Sequence, residues 1–241
     1  MIQLSIVEFR LLLRRRITAF SVLVVPVGLA ALTLFGQRPD DPAQWGRLLS
    51  TNFLLLTMLS AYLVSLTVFT ARRQSRVLKR LRTSELSDTA ILGGVLAPVL
   101  VVGLAQAAAY LVFCVVTGAP APGDPVAVVA GVVLGVVVAT AAGAATACLT
   151  RTVEATQLTG TPLLLAAVAG MFMTASSEPA VATVGLVMPI AGPADLVARG
   201  WGTGVTGAAL PAVPLGLAST VLWLAVSGVV FHRAFRWEPR A

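Results

Sequence analysis

Hydrophobic residues along this chain fall into long runs separated by short polar gaps, not into the three-and-four spacing of helices that lean on a soluble core. Six runs, at residues 17–35, 53–71, 90–116, 126–149, 158–174 and 208–231, are long enough as helices to cross a hydrocarbon layer about 30 Å thick. A seventh stretch, 181–190, is too short to cross. It is broken by Pro189 and followed by Pro193, so it predicts a re-entrant or interfacial piece within the region 175–207. The first sixteen residues carry a polar stripe of Gln3, Arg10 and Arg14 beside an apolar one of Ile2, Ile6, Phe9 and Leu13, which predicts an interfacial elbow helix. The expected fold is therefore all-α: one polytopic transmembrane domain over residues 1–241, with an elbow helix, six spans and a re-entrant segment before the last span.

The gap at 72–88, RRQSRVLKRLRTSELSD, holds six of the seventeen Lys and Arg residues: Arg72, Arg73, Arg76, Lys79, Arg80 and Arg82. On a helix Val77, Leu78 and Leu81 share one face, while Arg72, Arg76, Lys79 and Arg80 crowd the other. Basic loops stay on the cytoplasmic side of a membrane, so this segment orients the spans around it. The remaining charges agree. Four Lys or Arg precede the first span, one lies between the fourth and fifth, and three follow the last; the intervening outer loops carry two, none and one. Both ends are expected inside, and residues 72–88 offer the largest contact surface for a soluble partner.

Composition narrows the picture further. The chain is 57% hydrophobic and 11% charged, with a mean hydropathy of +0.91, against roughly 25% charged for an average soluble domain. The high pI does not point to nucleic acid, because the basic residues occupy gaps between spans rather than a face with aromatic or polar readers. Lys79 is the only lysine, beside sixteen arginines, and it lies in RVLKRL without a glycine-rich turn. The chain therefore contains no P-loop, binds no cofactor on this reading, and takes any energy from ATP through a partner. The excess of Arg, Ala, Val and Gly fits a GC-rich genome.

No Asp, Glu, Lys or Arg falls inside the six spans. That argues against proton coupling, which needs ionisable groups within the membrane, and against an intramembrane metal or acid/base centre. His232 reads as an interfacial side chain and Trp45, Trp201 and Trp237 as interface anchors. Glu154, Asp195 and Arg199 read as solvated or capping residues, the last two able to pair at i, i+4. Cys114 and Cys148 sit near opposite ends of neighbouring spans, beyond disulfide reach. The fourth span repeats a small residue every fourth position, Gly131, Gly135, Ala139, Gly143 and Ala147, a ridge suited to close helix packing.

With these residues in view, the chain resembles the permease subunits of ABC-2 type exporters, particularly those of high-GC bacteria that move drugs or antibiotics. The match rests on Arg72-Arg73-Gln74 followed by Val77-Leu78-Lys79-Arg80-Leu81-Arg82-Thr83, and on the end-to-end layout down to the aromatic-basic tail Phe235-Arg236-Trp237. It departs from the family pattern at Gln74, Arg76 and Glu85. The resemblance implies that residues 72–88 form a coupling helix docking through Arg72, Arg73, Arg76, Val77, Leu78, Lys79, Arg80, Leu81 and Arg82 onto an ATP-binding cassette ATPase. That partner would hold ATP and Mg, and a second permease chain, the same or different, would complete the path for a lipophilic or amphipathic substrate. The alternatives from other classes are an ion-coupled secondary transporter acting alone and a non-transporting immunity or scaffold protein.

Overall fold

The computed structural model describes residues 16–36, 39–75 and 88–235; the elbow helix expected at 1–16 lies almost wholly outside them. The first helix, α1 (Arg16–Phe35), carries Pro26 in its interior. Next comes a continuous helical rod, Pro42–Gln74, built of α2 (Pro42–Leu56), a π-helical turn (Thr57–Tyr62) and α3 (Leu63–Gln74). Then follow α4 (Asp88–Val116), α5 (Pro125–Leu149), α6 (Thr156–Thr174), the short pair α7 (Pro179–Val187) and α8 (Ala191–Arg199), and α9 (Ala212–Ala234). Among the described residues, five helices are long and apolar enough to cross a membrane: the rod, α4 from Ile91, α5, α6 and α9. With twenty residues, α1 has the length of a sixth. The protein is an all-α, multi-pass membrane protein.

The second crossing helix begins about ten residues earlier than hydropathy suggests. Asp41 caps it by accepting a hydrogen bond from the Ala43 N–H, and Pro42 occupies the first turn, where its missing N–H costs nothing. The polar residues Arg47, Ser50, Thr51 and Asn52 depress hydropathy without interrupting the helix. Its 33 residues span about 50 Å, more than a bilayer core.

Packing centres on the rod and α5, which is flanked by α3, α4, α8 and α9. The most apolar window of the rod is 72% buried, against 22% for α6 and α9, which face outward. The small-residue face of α5 makes the close approach possible. A methyl on Gly131 would lie 2.6 Å from the Pro193 carbonyl, and one on Gly135 would lie 2.6 Å from the Phe53 ring. One on Gly143 would collide with the Tyr62 carbonyl in the π-helical turn. Ala139 and Ala147 are fully buried.

Buried polar side chains tie the helices together. Asn52 donates to the Tyr110 hydroxyl at 2.6 Å, which lies 3.0 Å from Thr33, so α1, α2 and α4 share one network. Ser65 donates to the Thr140 carbonyl and Tyr62 to that of Gly160. Trp45 and Trp201 are each only 5% exposed, and Trp201 donates its indole N–H to the Pro120 carbonyl at 2.7 Å. These two tryptophans pack within the protein instead of anchoring at a lipid interface, because the early start of α2 and the turn after α8 enclose them. Trp237 lies outside the described residues.

Candidate functional site: the two ends of the helical rod

At one end, α3 terminates where the basic segment begins. Tyr62, Leu66, Phe69 and Arg73 recur at spacings of four, three and four, and all four are no more than 2% exposed. The inward stripe of the helix thus runs one turn past its last apolar residue and ends on a guanidinium. Arg73 Nη1 donates to the Ala147 carbonyl at 2.7 Å and Nη2 to that of Thr150 at 3.2 Å. These carbonyls close α5: that of Ala147 also accepts the Thr150 N–H and has a lone pair to spare, and both lie at the negative end of the helix dipole. A cation suits the position on both counts. The Thr150 hydroxyl continues the chain to Thr159 on α6 at 2.8 Å.

Two further contacts surround that junction. Gln74 accepts a hydrogen bond from the Val153 N–H in the α5–α6 turn. Phe69 meets Phe231 edge-on at 5.6 Å between centroids, and Phe231 stacks on Phe235 at 4.9 Å. The root of the basic segment is therefore gripped by α5, by the α5–α6 turn and by the last turn of α9. Glu154, at the exposed crest of that turn, is held below the usual carboxylate range by hydrogen bonds from its own backbone N–H and from Thr152.

Of the residues expected to form a docking face, Arg72 is half-buried at the end of α3 and Arg73 is turned wholly inward. Arg76, Val77, Leu78, Lys79, Arg80, Leu81 and Arg82 lie outside the described residues.

At the opposite end, α7 and α8 form a hairpin bent by 108°. Its tip reverses at Ile190, which adopts a left-handed φ of 64°, a conformation costly for a β-branched side chain. The tip is held by α9. Both Ser219 and the Trp223 indole donate to the Val187 carbonyl, at 3.0 and 2.9 Å, which satisfies the exposed end of α7. Gly192 lies so close to Gly216 that a methyl on it would strike the Gly216 carbonyl. A buried backbone reversal requires such support, since water does not reach it to replace the lost hydrogen bonds. The bent pair stands in the region expected to be re-entrant or interfacial, and its geometry is that of a broken span or of a re-entrant loop alike.

Beyond the tip, Asp195 and Arg199 form an ion pair at 2.7 Å. Asp195 is buried, not solvated: its second oxygen accepts the Val205 N–H at 2.6 Å, while Arg199 donates to the Val205 carbonyl. The pair pins the loop after α8. Between that loop, α8, the first turns of α2 and the end of α6 lies a cleft of about 390 Å³. The spacing of Asp195 and Arg199 is visible in sequence; the Ser219, Trp223 and Gly216 contacts carry no sequence signal beyond small or polar residues on an apolar helix.

A polytopic helical membrane protein with a broken hairpin before its last crossing helix, and a basic connector rooted on its second, has the build of a transporter's membrane subunit. Residues 18–233 match the family described as ABC-2 family transporter protein, and the chain belongs to that family. It is a permease component of an ABC transporter, and membership implies association with an ATP-binding cassette subunit. No curated protein and no solved structure matches the chain.

Proposed function

We propose that this chain is the transmembrane subunit of an ATP-driven exporter in a bacterial plasma membrane, with both termini and residues 72–88 inside. Two permease chains would line the path, and two separate ATPase subunits, which bind ATP and Mg, would dock on the basic segment. The chain itself contributes no catalytic group. The observation that carries this reading is the grip on the end of α3. A push delivered to residues 72–88 would meet Arg73, Gln74 and Phe69 at once, so it would move α5, α6 and α9 rather than bend a loose loop. The docking face consists of Arg72, Arg76, Val77, Leu78, Lys79, Arg80, Leu81 and Arg82, while Arg73 anchors that face from within. The cargo is lipophilic or amphipathic, a drug or antibiotic being the expected kind.

Co-expression with candidate ATP-binding cassette ATPases from the same genome tests the proposal. The chain and its ATPase should purify together, and inverted vesicles holding both should accumulate cargo only with ATP. Replacing Leu78 and Leu81 with Asp should release the ATPase while leaving the permease inserted. Transport by this chain alone, or a reporter at Lys79 emerging outside the cell, would overturn the reading.

A further inference from the structure

The cleft at the end opposite the basic segment has a graded lining. Arg47, Ser50, Thr51 and Leu54 all face it from α2, at i, i+3, i+4 and i+7. That stripe descends about 10 Å along the helix, from the exposed Arg47 to Leu54, which is 1% exposed. Met171 and Ala194 join Leu54 at the apolar floor, from α6 and α8. At about 390 Å³ the volume falls within the range of small-molecule sites, about 300 to 1,000 Å³.

The charge in the cleft is one-sided. Asp195 is the only carboxylate among its described lining residues, and its two oxygens are taken by Arg199 and the Val205 N–H. Arg47 has no ion pair or side-chain hydrogen bond among the described residues. The Ser50 and Thr203 hydroxyls already donate to the Arg47 and Ala43 carbonyls. Thr51, Ser177 and Thr206 keep theirs uncommitted. The mouth therefore offers an uncompensated guanidinium and spare hydroxyl donors above a greasy floor, which are the elements that hold an anion carrying an apolar tail.

We propose that this cleft binds an anionic amphiphile, its carboxylate, sulfate or phosphate head held by Arg47 and its tail laid on the partly exposed Met171 and Val205, above the buried Leu54 and Ala194. A bilayer lipid and a soluble amphiphile share this chemistry. The site goes beyond the permease reading, and binding to it requires neither a partner nor ATP.

The test uses the full chain in nanodiscs of zwitterionic lipid, with empty discs as the baseline. Dansyl-labelled undecanoic acid and its methyl ester are the probes. The acid should bind saturably and the ester about tenfold more weakly. Arg47→Gln should bring the acid down to the level of the ester, Arg47→Lys should keep part of the difference, and high salt should weaken the acid alone. Because Arg47 is exposed, these variants should elute and melt like the parent chain. Adding phosphatidylglycerol to the discs separates the sources: displacement of the acid assigns the site to a lipid headgroup, and undisturbed binding assigns it to a soluble amphiphile. Equal binding of acid and ester, an Arg47→Gln variant that binds the acid unchanged, or no saturable binding above empty discs would overturn the proposal.

Discussion

The two ends of the Pro42–Gln74 rod solve one problem in opposite ways. Each must satisfy backbone groups where helices stop in or near a membrane. At the basic end a side chain of the rod reaches across: Arg73 closes the last turn of α5. At the other end the rod contributes only Arg47, Ser50, Thr51 and Leu54 to one wall, and the α7–α8 hairpin is held by α9 and by its own Asp195–Arg199 pair. A side chain of the rod locks one end solid; a separately supported hairpin keeps the other open. For a transporter the difference is useful. The solid end suits the entry of force, and the open end suits a step in which a path must widen.

Substitutions should show that asymmetry, in decreasing order of effect. Arg73→Met removes a charged donor from two buried carbonyls, leaving Ala147 only the Thr150 N–H, and should cost about 3 kcal/mol, seen as a lower melting temperature in detergent and faster hydrogen exchange in both α3 and the α5–α6 turn. Loss confined to α3 would break the idea of a lock. Gly192→Val at the hairpin tip would force α8 off α9 at a cost of about 2 kcal/mol, with faster exchange in α7 and α8 and none added at the α3–α5 junction.

Smaller changes sharpen the contrast. Asp195→Asn keeps an acceptor for the Val205 N–H but loses the ion pair, whose Arg199 partner is partly exposed. About 1 kcal/mol is expected, read as faster exchange of the Val205 amide alone. Gln74→Ala should cost about 0.5 kcal/mol or less, since Gln74 is exposed and water can replace it on Val153. If its effect on melting rivals that of Arg73→Met, the junction is held differently from the contacts described above.

Much of the fold was legible in the chain itself, for a physical reason: a bilayer rewards every long apolar run in the same way, so run length alone located α1, α4, α5, α6 and α9 to within a few residues. The second crossing helix was misjudged at its start because hydropathy registers Arg47 and Asn52 as polar, whereas helix formation depends on the Asp41–Pro42 cap. Arg73 was grouped with its basic neighbours by charge. Its spacing from Tyr62, Leu66 and Phe69 already placed it on the inward face, a signal that periodicity carries and charge counting hides. The small residues of α5 announced a close contact but not its partners, which lie on four different segments.

What the sequence determined by itself was the number of apolar runs, the short broken one before the last span, and the position of the basic segment between the second and third. Each is a local property, set by transfer of contiguous residues between water and lipid. Tertiary structure decided the rest: which arginine turns inward, which backbone the glycines admit, what holds the hairpin tip, and where a cleft stays open. Those outcomes depend on pairs such as Arg73 with Ala147 or Val187 with Trp223, dozens of residues apart in the chain, whose energies exist only once the helices have met.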